Sequence, residues 1–259
     1  MKEQYTAIAT VAILLLTVFA TSNFPLANSQ PEQQPLPVLL IHGYFSDASV
    51  WETWEELLRN DGITARAVTF SLDDPCGSAE EHAGELNLLV EDFKADTGAE
   101  RINIVAHSKG GLDARVYLAN DLSNDDIANL IMIGTPNAGS PLAHLNDLCR
   151  PAIEDFRIGA QATKAIRNSN TNYHTIAGNW IPTSLPPFPD ANCSPEGVGW
   201  LEFQRFGSSF LLGSDDGIVP LSSVQSGRFS SLGSTNNCHT DLLGEEEYRR
   251  ARGVLLTPE

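Results

Sequence analysis

The sequence INIVAHSKGGLDAR, residues 102–115, decides the fold of this chain. Residues 102–105 form a short apolar run with β-branched side chains, which is typical of a buried strand. The run breaks at a turn around Ser108, and an apolar stripe with helical spacing follows. Strand, tight turn and helix together expose a serine as a nucleophile, and they require small residues two places before and after it. Ala106 and Gly110 satisfy that requirement, but a serine that merely caps a helix gives a similar pattern, so the chain must supply its partners.

Strand patterns alternate with amphipathic helical patterns along the chain. The predicted strands are residues 37–41, 65–70, 102–105, 130–133 and 173–177. Two helices begin at patterns that predict capping boxes, Ser49 with Glu52 and Ser78 with Glu81. A terminal helix has acidic residues first and arginines last, as the helix dipole favours. This alternation predicts a single α/β domain over residues 38–259, with a doubly wound, mostly parallel sheet.

The first 29 residues are predicted to be a cleaved signal peptide. Lys2 gives a positive start, and Ala7–Ala20 is an uncharged apolar run of 14 residues, too short to span a membrane comfortably. Residues 30–37, rich in proline and glutamine, are predicted to be a linker. We therefore expect a secreted protein without stable membrane insertion. The alternative is an uncleaved N-terminal anchor.

The four cysteines lack the C-x-x-C spacing of a zinc site. In an exported protein two disulfides are expected, and three connectivities are possible. We predict Cys76–Cys149, because both loops should emerge at the carboxyl edge of the sheet. We also predict Cys193–Cys238, which would clamp an irregular stretch onto the turn that holds His239.

The chain has 33 acidic and 16 basic residues, a formal net charge of −17. This charge argues against nucleic acid or an anionic membrane surface as the main partner.

A nucleophilic serine needs a histidine base and a carboxylate that orients it. Of the six histidines, only His239 lies in a loop near the C-terminus and after a plausible acid loop, which contains Asp215 and Asp216. The chain order is thus serine, aspartate, histidine, one of the known orders of such a triad.

These segments resemble the α/β-hydrolase superfamily, and in particular the secreted microbial triacylglycerol lipases and esterases. The matching segments are LIHGY at 40–44, AHSKGG at 106–111, IGTPNAGS at 133–140, DGIVP at 216–220 and Cys238-His239. The resemblance implies that Asp216, directly before the glycine, is the acid, and that Asp215 faces solvent or caps the turn. It also implies an oxyanion hole made by the backbone amides of Tyr44 and Lys109.

We therefore predict a serine carboxylic-ester hydrolase that acts on a lipid, polyester or small acyl ester through an acyl-enzyme on Ser108. A thioesterase or amide-type acyl hydrolase is the alternative with the same triad, and a non-catalytic binding module is the alternative of another class. We predict no cofactor and no metal, since Asp241 has no clear second calcium ligand, and we expect a monomer.

Two regions leave alternatives open. Residues 178–213 show no regular pattern and contain five prolines, and such a stretch is either an apolar cluster that holds a loop or a wall or lid over an acyl pocket. Residues 141–170 could hold a lid helix, but an ordinary sheet-covering helix is favoured.

Overall fold

Six parallel strands form one sheet in the order β2-β1-β3-β4-β5-β6. The computed structural model describes residues 34–69, 76–120, 125–145, 149–165, 168, 170–183, 190, 192–193 and 198–258, with only the backbone described at 198–202. The predicted signal peptide and the first part of the predicted linker lie outside these residues. The strands are β1 Val38–Ile41, β2 Ala65–Val68, β3 Ile102–His107, β4 Ile127–Ile133, β5 Asn172–Gly178 and β6 Ser230–Thr235.

Helices cover both faces of this sheet. They are α1 Glu52–Asn60, α2 Ala79–Thr97, α3 Lys109–Ala119, α4 Arg150–Asp155, α5 Val198–Phe210, α6 Leu221–Val224 and α7 Glu245–Leu255. Short 3-10 turns lie at Ala48–Trp51, Pro141–His144, Ala162–Lys164 and His239–Asp241. The predicted doubly wound parallel architecture is confirmed.

The side chains of β1 show how the two layers form. Leu39 and Ile41 point to one face and pack with α2 and α3, whereas Val38 and Leu40 point to the other and pack with α1 and α7. Successive side chains of a strand alternate between faces, so an unbroken apolar run fits a strand covered on both sides. The site-bearing strand β3, between β1 and β4, is buried at all six positions.

One of the two predicted capping boxes is present. Ser78 Oγ accepts from the Glu81 amide, and the Glu81 carboxylate accepts from the Ser78 amide. The box predicted at Ser49 is wrong, because a 3-10 turn precedes α1 and Asp47 caps that turn by accepting from the Ser49 amide at 2.8 Å.

Three regions differ from the sequence-based expectation. The stretch predicted to be irregular contains the 13-residue helix α5. Strand β6 was not predicted, because its sequence SSLGST is polar and carries little strand propensity. The described residues of 141–170 form short turns and the six-residue α4 rather than one sheet-covering helix, and Ile153 and Phe156 of this region pack into the core.

Both predicted disulfides are present. Cys76 is bonded to Cys149 and Cys193 to Cys238, with Cα–Cα distances of 4.7 and 5.2 Å. Within the described residues, no helix is both long enough and apolar enough to span a membrane.

Candidate active site

Ser108 occupies a strained turn between β3 and α3. Its backbone angles are φ 51° and ψ −119°, a region that non-glycine residues rarely adopt. The turn is held by its neighbours: the Ser108 amide donates to the Ile133 carbonyl at 2.9 Å, and the Gly111 amide donates to the Ser108 carbonyl at 3.1 Å. Such strain persists only where the surrounding structure fixes it, and it is concentrated at functional sites.

Close backbone packing explains the glycine at position 110. A Cβ atom there would collide with the carbonyl oxygen of His42 and lie 2.9 Å from that of Ile41. Gly43 makes a similar approach, since a Cβ atom on it would lie 2.9 Å from the Ser108 Cβ. The end of β1 and the start of α3 therefore nearly touch, and the serine side chain is directed out of that contact.

The structure brings Ser108, His239 and Asp216 into one hydrogen-bonded chain. His239 Nε2 lies 2.8 Å from Ser108 Oγ, and His239 Nδ1 lies 2.8 Å from Asp216 Oδ2. All three residues are buried. Because the carboxylate accepts, Nδ1 carries the proton of a neutral imidazole, and Nε2 is left to accept from the serine hydroxyl.

Asp216 is held firmly by its own loop. Its Oδ1 accepts from the amides of Ile218 and Val219 at 3.0 and 2.7 Å, which leaves Oδ2 directed at the imidazole. The neighbouring Asp215 caps the same turn by accepting from the Gly217 amide at 2.7 Å. Asp215 does not face solvent: it is buried, and burial raises the pKa of its carboxyl group.

Tyr44 and Lys109 are the two residues whose backbone amides are predicted to bind an oxyanion. Lys109 is the first residue of α3, and the first amides of a helix have no intrahelical acceptor. Tyr44 follows Gly43, the residue that packs against Ser108, and its ring contacts Phe156 edge-on at 5.5 Å. Their role in binding an oxyanion stays a prediction.

A buried cluster of polar side chains between α2 and α3 was not predicted. The Lys109 ammonium donates to Asp113 Oδ1 at 2.6 Å and lies 2.9 Å from His82 Nδ1, which is 3.1 Å from Asp113 Oδ2. The spacing of four between Lys109 and Asp113 signals a helical ion pair. No local pattern could bring in His82, which belongs to α2.

Helix α5 supports the turn that carries His239. Gln204 Nε2 donates to the hydroxyl of Thr240, the next residue after His239, at 3.1 Å. On the same side of the helix, Gly207 packs directly against the Gly217 carbonyl. The region predicted to be an irregular loop is thus a structural support for both the acid loop and the histidine turn.

Among the residues that the structure describes, no group of three or more histidine, cysteine, aspartate or glutamate side chains could hold a metal ion.

Comparison with known proteins points to one fold. The sequence model of the alpha/beta hydrolase fold family matches residues 37–159. The triacylglycerol lipase of Pseudomonas fragi is 27% identical over 138 residues, which cover 51% of this chain and 44% of that protein. That of Pseudarthrobacter phenanthrenivorans is 33% identical over 117 residues, which cover 41% and 35%. The chain therefore matches less than half the length of these relatives.

Solved structures extend the likeness to nearly the whole chain. The mature form of the Bacillus licheniformis lipase BlEst2 superposes with a TM-score of 0.71 at 21% identity, covering 88% of this chain and 95% of that one. The metagenomic carboxyl esterase MGS0156 gives a TM-score of 0.59 at 15% identity, covering 84% and 72%. The chain thus has the alpha/beta hydrolase fold and resembles the lipases and esterases built on it.

Proposed function

We propose that the protein is a secreted serine carboxylic-ester hydrolase that works through an acyl-enzyme on Ser108. The observation that carries this proposal is the chain of two 2.8 Å contacts from Ser108 through His239 to Asp216. The lipase relatives support the same reaction class. A protein kept only for binding would not need a serine in a strained backbone conformation together with a correctly connected base and acid.

Each step of the reaction has a residue for it. Ser108 Oγ attacks the ester carbonyl while His239 Nε2 takes the serine proton, and Asp216 stabilises the resulting imidazolium. The carbonyl oxygen becomes an oxyanion, which the Tyr44 and Lys109 amides would bind. One such donor is typically worth about 3–4 kcal/mol of barrier. His239 then protonates the leaving alcohol, and the acyl group stays on Ser108 until a water molecule, activated by His239, releases it as an acid.

An apolar surface beside the site favours an apolar acyl substrate. Phe203, Phe206 and Phe210 are 40, 53 and 46% exposed, and their spacing places them on one side of α5. The adjacent stripe of α5, which carries Gln204 and Gly207, packs on the histidine turn and the acid loop. Together with the net charge of −17, this surface favours an uncharged, water-insoluble ester over an anionic one.

Covalent labelling and a substrate series test the proposal. A fluorophosphonate should label the protein at Ser108, located by peptide mapping, and should not label Ser108→Ala. Rates should be measured with p-nitrophenyl esters from acetate to palmitate and with an emulsified triglyceride, beside matched thioesters and amides. We expect hydrolysis of esters to dominate. Preferred cleavage of thioesters or amides would replace the proposal by the alternative acyl hydrolase, and neither labelling nor turnover would favour the binding module.

We also propose that residues 1–29 are removed on export, in keeping with the two disulfides of the mature region. N-terminal sequencing of protein from the culture medium should begin near residue 30, whereas an intact residue 1 on membrane-bound protein would support the uncleaved anchor.

A further inference from the structure

We propose that His107, the residue directly before the nucleophile, is a positioning residue that fixes His239 relative to Ser108 through the main chain. The proposal rests on the proposed function in one respect, the role of His239 as the base. It concerns a side chain that none of the reaction steps above uses.

The contact is a hydrogen bond from one histidine ring to the backbone of the other. His107 Nε2 lies 3.0 Å from the His239 carbonyl oxygen. A carbonyl oxygen can only accept, so Nε2 must carry the proton and the ring of a neutral His107 is fixed in one tautomer. The two rings also pack together, with centroids 4.8 Å apart.

With this bond, both the amide and the carbonyl group of His239 are hydrogen-bonded to other segments. The His239 amide donates to the Asp216 carbonyl at 2.8 Å, so the acid loop holds the turn from one side. The His239 carbonyl accepts from His107, so β3 holds it from the other. The imidazole is therefore placed by main-chain contacts to both of its partners' segments, in addition to its side-chain bonds with Ser108 and Asp216.

The opposite edge of the His107 ring faces the turn that leads to Tyr44. A Cβ atom on Gly43 would lie 3.1 Å from His107 Nδ1, so only a glycine lets the backbone come this close without displacing the ring. His107 thus separates two segments at a fixed distance: the Gly43 turn on one side and the His239 turn on the other.

The ring is suited to this task because it stays neutral. Burial, followed by the nearby His239 and His42, lowers the pKa of His107 to about 3. It therefore keeps one N–H donor and adds no second positive charge beside the His239 imidazolium that forms during the reaction.

Three substitutions separate the hydrogen bond from simple packing. His107→Leu fills much of the space but cannot donate, whereas the amide N–H of His107→Gln can reach the position of Nε2. The amide of His107→Asn reaches only the position of Nδ1. We expect the Leu and Asn variants to lower kcat by about 10²-fold with KM nearly unchanged. A small misplacement of a reacting group causes an effect of this size. Gln should restore kcat to within about tenfold of wild type.

A spectroscopic signal gives a readout that needs no substrate. The His239 Nδ1 proton bonded to Asp216 should give a downfield resonance in the NMR spectra of the wild type and of the Gln variant. This resonance should be lost or broadened in the Leu and Asn variants. Thermal unfolding would establish that each variant is folded.

Two results would overturn the proposal: a folded Leu variant with wild-type kcat and resonance, or a Gln variant as impaired as Leu. If Leu does not fold, the comparison of Gln with Asn decides, and equal behaviour of the two refutes the bond. If wild type hydrolyses no ester, the proposed function fails alone, and the NMR comparison still decides the role of His107.

Discussion

The two halves of the candidate site are built in different ways. Ser108 is placed by consecutive residues and by close steric contact of backbones at Gly43 and Gly110. His239 is placed by partners far away in sequence, namely Asp216, His107 and, through Cys238, Cys193. The first half depends on close packing between backbone segments, so it should fail when atoms are added. The second depends on separate bonds, so it should fail when a bond is removed.

The largest effect is expected at the nucleophile. Ser108→Ala should leave a folded protein whose kcat falls by about 10⁶-fold, because alanine has no hydroxyl to serve as the proposed nucleophile. Ester hydrolysis should be measured beside Ser230→Ala, an exposed serine at the start of β6, which should match wild type. A folded Ser108→Ala variant that kept even a tenth of the activity would exclude Ser108 as the nucleophile.

The next effect concerns the acid. Asp216→Asn should lower kcat by about 10⁴-fold, the loss seen when a triad carboxylate becomes an amide. Asp215→Asn is the matched control, and it should stay within about tenfold of wild type because its amide oxygen can still accept from the Gly217 amide. The opposite ranking of the two variants would make Asp215 the acid.

Removing either disulfide should lower stability by a similar amount, but the two removals should affect activity differently. Their sequence separations of 45 and 73 are similar, so replacing either pair by serines should cost about 4 kcal/mol of unfolding free energy. Only loss of Cys193–Cys238 should also lower kcat at a temperature where both variants are folded, since Cys238 directly precedes His239. Thermal unfolding and kcat should be measured on both double variants. An equal kcat in the two would show that this bond does not help to place the histidine.

The smallest effect is expected at Gly110, in the Ser108 half of the site, which depends on close steric contact. Gly110→Ala should destabilise the fold by about 1–3 kcal/mol, because the added methyl group meets backbone atoms of His42 and Ile41. Gly84→Ala, in the exposed part of α2 with no atom near the added group, should instead stabilise by about 0.5–1 kcal/mol. Denaturant unfolding of the pair measures both. Equal stability changes would mean that β1 can move away from α3 at little cost.

This difference between the halves also explains what the sequence could predict. The turn at Ser108 could be predicted because its strand, small residues and helix are consecutive in the sequence. The parallel sheet could be predicted from local patterns of the same kind. The burial of Asp215, the bond from His107 to His239 and the pairing of His82 with Lys109 arise from tertiary contacts that no local pattern records. Helix α5 was missed because a proline-rich segment precedes it, and β6 because its packing on β5, rather than its composition, makes it a strand.

The edges of the sheet have a consequence for handling the protein at high concentration. An edge strand offers a row of peptide groups to which a strand of another molecule can add. Here β6 presents short polar side chains and a glycine, and the opposite edge, β2, is four residues long and carries Arg66, paired with Asp92 and Asp96. Neither edge is a flat apolar template. Self-association should therefore involve exposed apolar side chains, such as the phenyl rings of α5, and mild detergent should reverse it without unfolding the chain.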